Sequence, residues 1–138
     1  MGSTEDSIVR TFGAARKRFA DAMSFELQQD ELGVMLDQLY RLIELRGSIK
    51  RITTEPTTPT AMAIVLFRHK DVHESTRAAV GDDVVTDYFT NVVGALVWSA
   101  HPAVASDPRF TAYGTEHLIG SPALDTTIAA FEEVRALD

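Results

Sequence analysis

The sequence predicts an all-α protein, a single-domain bundle of about five helices. Apolar residues recur at helical spacing through most of the 138 residues, and the prolines fall outside those periodic stretches or at their ends. The composition, 45% apolar and 24% charged, is that of an ordinary globular protein. One domain covering residues 1–138 is therefore expected, because this length is close to the commonest domain size.

A central helix is predicted near residues 82–100, where the apolar pattern is doubled. Apolar residues there come in adjacent pairs every four positions, and such pairs cover about half of a helix circumference. The pairs are Val84/Val85, Tyr88/Phe89, Val92/Val93 and Leu96/Val97. A helix that is apolar over so wide an arc is expected to have neighbours on two sides.

Two helices are predicted in the first third of the chain. Ser3 and Thr4 precede two acidic residues, which is typical of a helix start, and this helix is expected to run to about Gln28. Its apolar face comprises Ile8, Phe12, Ala15, Phe19, Ala22 and Met23. The apolar face of the second helix comprises Leu32, Met35, Leu36, Leu39, Leu42 and Ile43. The joint is placed between Gln28 and Glu31, where the two helices form either a hairpin or one long bent helix, and Gly47 is expected to end the second helix.

Residues 49–80 allow two interpretations. A helix can begin with Thr58 as N-cap and Pro59 as its first residue, and the helical pattern then continues to about Val80. Alternatively, the unbroken apolar run 61–67 is a buried strand, which would give an α+β fold with a β-hairpin at 49–68. The helix is favoured because five turns of periodic pattern are too long for an ordinary strand.

The last third of the chain contains a weakly periodic segment followed by a final helix. Ser121 and Pro122 are expected to start that helix, with Pro122 as its first residue and a face of Leu124, Ile128, Phe131 and Val134. The preceding segment, 101–120, holds His101 and His117, and His117 follows an acidic residue. A small enzyme with a general base in this segment is therefore one functional alternative.

His69 and His73 are the sharpest chemical feature. They are four residues apart, so on a helix both side chains point the same way and can hold one metal ion or a haem iron. Further ligands would have to come from elsewhere in the chain, and no metalloprotease, di-iron or zinc-ribbon spacing supplies them. A metal- or haem-binding protein is therefore a second alternative, and no other cofactor is predicted.

Surplus apolar residues indicate a protein that binds other proteins. Ile64, Phe67, Val34 and Leu45 point away from the main apolar faces of their helices, and Trp98 lies off the apolar arc of the central helix. Such surface in a small helical protein favours a homo-oligomer or a protein partner. The leading prediction is thus a non-enzymatic interaction or assembly protein that uses these five side chains.

Composition argues against several other classes. The net charge is −7, and residues 71–138 hold 3 basic against 11 acidic residues, which does not favour nucleic-acid binding. No apolar run is long enough for a membrane span, and the first residues do not resemble a signal peptide. The lack of cysteine fits a cytoplasmic protein. Neither a Walker loop nor a Gly-x-Gly-x-x-Gly motif indicates a nucleotide.

Overall fold

The computed structural model describes residues 4–47, 57–65, 89–92, 95–98, 118 and 120–137. Helices dominate these residues: α1 is Thr4–Asp21, α2 is Phe25–Arg46, α3 is 59–65 and α4 is Ala123–Arg135. The strands β1, Phe89–Val92, and β2, Ala95–Trp98, form an antiparallel pair. The mostly helical character predicted from the sequence is confirmed, whereas the described parts of residues 82–100, namely 89–92 and 95–98, are strands rather than part of a central helix.

α1 and α2 are separated by three residues, 22–24. Ser24 caps α2, because its Oγ accepts a hydrogen bond from the backbone N–H of Leu27 at 3.2 Å and its carbonyl accepts one from Gln28 at 3.0 Å. The joint predicted between Gln28 and Glu31 is therefore wrong. Those residues lie inside α2, which begins directly after its N-cap, Ser24.

α2 carries the largest share of the core. Its whole predicted apolar face is buried, and that face comprises Leu32, Met35, Leu36, Leu39, Leu42 and Ile43. Against it lie Ile8, Phe12 and Ala15 of α1 and the buried side of α4. The rings of Phe12 and Phe131 stack with centroids 3.9 Å apart, so α1 and α4 also touch each other. The helix at the centre of this fold is α2.

Residues 89–98 correct the prediction of a central helix. Phe89 pairs with Trp98 and Val92 with Ala95, so two short strands stand where the sequence predicted a continuous helix. Neighbouring apolar residues are also what a strand shows when both of its faces are covered, and β-branched and aromatic residues favour strands. Residues 82–88 lie outside the described part of the chain.

β2 is joined to the start of α4 by backbone hydrogen bonds. The N–H of Trp98 donates to the carbonyl of Ser121 at 3.1 Å, and the N–H of Gly120 donates to the carbonyl of Trp98 at 2.9 Å. Val97 and Pro122 form an isolated antiparallel bridge. Pro122 is the N-cap of α4 rather than its first residue, which shifts the predicted start by one position.

α4 is buried along a slightly different face from the one predicted. Its buried residues are Ala123, Thr127, Ala130, Phe131 and Val134. Leu124 and Ile128, which the sequence pattern assigned to this face, are only partly buried against the core. Small residues at positions 123, 127 and 130 let the helix backbone approach its neighbours, and this is why they take the inner side.

α3 confirms the helical interpretation for residues 59–65. The N–H of Met62 donates to the carbonyl of Thr58 at 3.0 Å, as expected for an N-cap at Thr58. The Glu133 carboxylate of α4 accepts hydrogen bonds from the N–H of Ala61 at 3.0 Å and of Thr60 at 3.3 Å. The alternative β-hairpin at 49–68 is wrong over these residues. Residues 48–56 and 66–80 lie outside the described ranges.

Two glycines give a matched pair of stability predictions. A Cβ added to Gly33, inside α2, or to Gly120 would meet no atom within 4 Å, but Gly120 has φ +82°. Gly33→Ala is expected to raise the free energy of unfolding by about 0.5–1 kcal/mol, because alanine loses less entropy in a helix. Gly120→Ala is expected to lower it by about 1–2 kcal/mol, because a left-handed backbone strains an L-residue. Urea denaturation measures both, and changes of the same sign would contradict this account.

Candidate functional site

Two of the five predicted interaction residues lie inside the protein. Ile64 is 0% exposed and Trp98 is 1% exposed. The expectation that Ile64 faces outward is wrong because all of residues 61–65 are buried. The hydroxyl of Tyr40 on α2 approaches the Val65 carbonyl at 3.5 Å, while Glu133 of α4 holds the other end of α3. α3 is therefore covered on more than one side.

Val34 and Leu45 lie on α2 and remain at the surface to different degrees. Val34 is partly buried against the core, and Leu45 is 48% exposed. The fifth predicted residue, Phe67, and the two histidines proposed as ligands, His69 and His73, lie outside the described residues. The roles predicted for these three side chains stay predictions.

Two exposed apolar residues were missed by the sequence analysis. Met23 is 93% exposed and Leu27 is 51% exposed, the highest values among the large apolar residues described. The helical pattern predicts Met23 on the apolar face of the first helix, because it places the joint between α1 and α2 too late in the sequence. With the joint at residues 22–24, Met23 stands between the two helices and Leu27 in the first turn of α2.

The exposed apolar residues of α2 share one side with Arg41. We define the outer flank as Leu27, Val34, Arg41 and Leu45. Residues seven apart on an α-helix differ by only about 20° in direction, so Leu27, Val34 and Arg41 lie nearly in line, and Leu45 follows one turn later. Leucines thus stand at both ends of the outer flank, about 27 Å apart at 1.5 Å per residue.

Charge along α2 is unevenly distributed. Asp30 and Glu31 lie in its first half, and Arg41 lies in its second half, exposed. Arg18 of α1 donates from Nε to both carboxylate oxygens of Glu31, at 3.0 and 3.1 Å. Asp30 is exposed and next to this pair. The first half of the helix is therefore acidic, and in its second half the exposed Asp37 and Glu44 stand beside Arg41.

A second polar centre lies where α1, α2 and the end of α4 meet. Arg46 donates from Nε to a carboxylate oxygen of Glu5 at 2.9 Å and from Nη1 to the Leu137 carbonyl at 2.9 Å, and its Nη2 contacts the same Glu5 oxygen. This guanidinium fastens the start of α1 and the residues after α4 to the end of α2. Its role is structural, since its donors are directed into the fold.

An open groove of about 420 Å³ lies next to that centre. It is lined by Glu5, Asp6, Val9, Arg10 and Arg135. Acidic and basic groups alternate around it, and Glu5 is already held by Arg46. This lining gives no basis for assigning a reaction to the groove.

The described residues contain neither a cluster of metal ligands nor a membrane-spanning helix. Within the described ranges, which include none of the four histidines, no three His, Cys, Asp or Glu side chains gather as a metal site. The helices in this part of the chain are all too short or too polar to cross a bilayer.

The outer flank is the candidate functional surface, because Leu27 and Leu45 are half-exposed whereas the other leucines of α2 are buried. Comparison with protein-family models, with curated proteins and with solved structures finds no match to this chain.

Proposed function

We propose that this protein is non-enzymatic and acts by binding another protein surface through the outer flank of α2. The observation that supports the proposal most is the exposure of Leu27 and Leu45 on a helix whose other leucines are 0–1% exposed. Met23, four residues before Leu27 in the sequence, is also exposed. Covering the exposed part of each leucine would contribute about 1 kcal/mol, since full burial of such a side chain is worth about 1.5–3 kcal/mol.

The flank also has the mixed chemistry of a protein interface. Apolar side chains stand beside Arg41 and Asp30, so an apolar contact would be bordered by charges that select the partner and its orientation. We extend the proposal to a cytoplasmic protein built as one domain, on the grounds of its cysteine-free sequence and its length.

Site-specific photo-crosslinking in the cells that make the protein tests this proposal. A benzophenone amino acid replaces Leu27 in one variant and Lys17, an exposed residue of α1, in a matched control. We expect the probe at position 27 to give one discrete crosslinked band, either a dimer or a complex with another protein. The control position is expected to give none.

A second substitution makes the result specific to the flank. Leu45→Lys, combined with the probe at position 27, is expected to reduce the crosslinked band at least several-fold, because a charge then replaces the apolar contact at the far end. Circular dichroism should show unchanged helix content, since Leu45 is half-exposed. Equal crosslinking from positions 17 and 27, or none from either, would overturn the proposal.

A further inference from the structure

Met23 presents its thioether sulfur to solvent. The residue is 93% exposed, whereas the other two methionines of the described ranges, Met35 on α2 and Met62 on α3, are 0% and 5% exposed. Met1, the fourth methionine, lies outside those ranges. Because the chain has no cysteine, its sulfur atoms are all methionine thioethers. In the described part of the chain, sulfur chemistry at the surface is therefore confined to Met23.

The start of α2 explains why this side chain is left outside the core. Ser24 is the N-cap, so Met23 occupies the position before it, where an apolar side chain often packs on the fourth residue of the helix. That fourth residue is Gln28, which ends in a polar amide. The cap itself joins the Ser24 Oγ to the N–H of Leu27 and uses no atom of the methionine. A change in the polarity of the Met23 side chain therefore leaves the helix start intact.

We propose that Met23 is a site of reversible oxidation by peroxides. The Met23 Sδ attacks one oxygen of hydrogen peroxide and the O–O bond breaks. The proton on that oxygen passes to the departing hydroxide, which leaves as water. Sulfur loses two electrons to the peroxide and becomes a sulfoxide. A methionine sulfoxide reductase reverses the change, because its thiols remove the oxygen as water and are oxidised to a disulfide.

The surroundings of Met23 tolerate the sulfoxide, and those of the buried methionines do not. Burying a polar group without a hydrogen bond costs free energy, and Met35 is fully enclosed in the core. At Met23 the added oxygen is hydrated instead. The neighbouring residues, Ala22 and Ser24, have small side chains, which leaves a reductase room to reach the sulfoxide. Oxidation at this position is therefore expected to be compatible with the native fold.

Peptide mapping after treatment with dilute hydrogen peroxide tests the site. Cleavage after glutamate separates Met23 from Met35, because Glu26 lies between them. We expect the peptide with Met23 to gain one oxygen atom at least about tenfold faster than those with Met35 and Met62, since a buried sulfur reacts only when the fold opens. In concentrated urea the three rates are expected to agree within about twofold, which controls for intrinsic reactivity.

Two matched variants assign the oxygen to its residue. Met23→Leu removes the exposed sulfur and is expected to abolish the fast uptake while leaving the circular dichroism spectrum and the urea midpoint unchanged. Met35→Leu makes the same exchange in the core, where leucine and methionine replace each other with little disturbance, and is expected to leave the fast uptake as it is. A sulfoxide reductase with dithiothreitol should then remove the oxygen from the unsubstituted protein.

Several results would overturn this inference. One is equal rates at Met23 and Met35 in the folded protein, and another is slower oxidation of Met23 in the folded protein than in urea by about tenfold or more. Loss of helix content when the first oxygen is taken up, or a sulfoxide that the reductase leaves in place, would do the same. The inference is independent of the proposed function, because a failure to crosslink from position 27 leaves the oxidation rates unaffected.

Discussion

Replacing Phe131 with alanine is expected to lower the free energy of unfolding by about 3–5 kcal/mol. Phe131 is buried, and its ring stacks on Phe12, so the substitution leaves a cavity between α1 and α4. A loss of this size is a large fraction of the 5–15 kcal/mol that stabilises a typical domain. Urea denaturation followed by the fluorescence of Trp98, the only tryptophan, measures it.

Three further variants test the cause of that loss. Glu132→Ala changes the neighbouring exposed residue and is expected to alter stability by less than about 0.5 kcal/mol. A double-mutant cycle between Phe12→Leu and Phe131→Leu should give a coupling energy of about 0.5–1.5 kcal/mol, the usual worth of an aromatic pair. Additive single effects would show that the rings contribute by burial alone and that their stacking does not matter.

Trp98→Ala is also expected to lower the free energy of unfolding by about 3–5 kcal/mol, but for a different reason. The indole is buried against Phe89, with centroids 4.9 Å apart, and its Nε1–H donates to the hydroxyl oxygen of Thr126 at 2.6 Å. The side chain thus joins β1, β2 and α4 at one point. Thermal and urea unfolding followed by circular dichroism is the measurement, because the fluorophore is lost.

Trp98→Phe separates the ring from its hydrogen bond. Trp98→Phe should lower the free energy of unfolding by only about 1–2 kcal/mol, because most of the apolar volume stays while one hydrogen bond is removed. Thr126 is left with a partner, since its Oγ also lies 2.9 Å from the Pro122 carbonyl and 3.1 Å from that of Ala123. If phenylalanine and alanine cost the same at position 98, packing of the ring is not what holds the strands to α4.

The helical part of the fold was predictable where one face of a helix is buried and the other is exposed to solvent. α2 is such a helix, and every residue of its predicted apolar face is in the core. α3 was harder, because all of residues 61–65 are buried and a run without a polar side carries no periodic signal. The helix was favoured because the periodic pattern continues beyond this run to about Val80, and Thr58 and Pro59 supply a start signal.

The strand pair was not predicted because its stabilising contacts lie far away in the sequence. Residues 89–98 satisfy a helical pattern locally, yet β2 is held by backbone hydrogen bonds to residues 120 and 121 and by the Trp98–Thr126 contact. The sequence places Gly94 between the two strands, and a glycine among β-branched residues is a hairpin signal.

The candidate surface was predicted in part. Val34 and Leu45 were identified because they point away from the main face of α2, and that reasoning depends only on helix geometry. Leu27 and Met23 were missed because the end of α1 was misplaced by about seven residues. Ile64 and Trp98 were chosen for the same outward direction, but neighbours from distant parts of the sequence cover them.

The guanidinium of Arg46 has a consequence for the path of the polypeptide. Because the guanidinium binds both Glu5 and the Leu137 carbonyl, the two ends of the described chain lie close enough for one arginine side chain to contact both. A circularly permuted version would need only a short linker there, and new ends opened at the exposed Met23 would interrupt no helix. Fluorescent labels placed before Glu5 and after Leu137 would likewise report loss of this contact through their energy transfer.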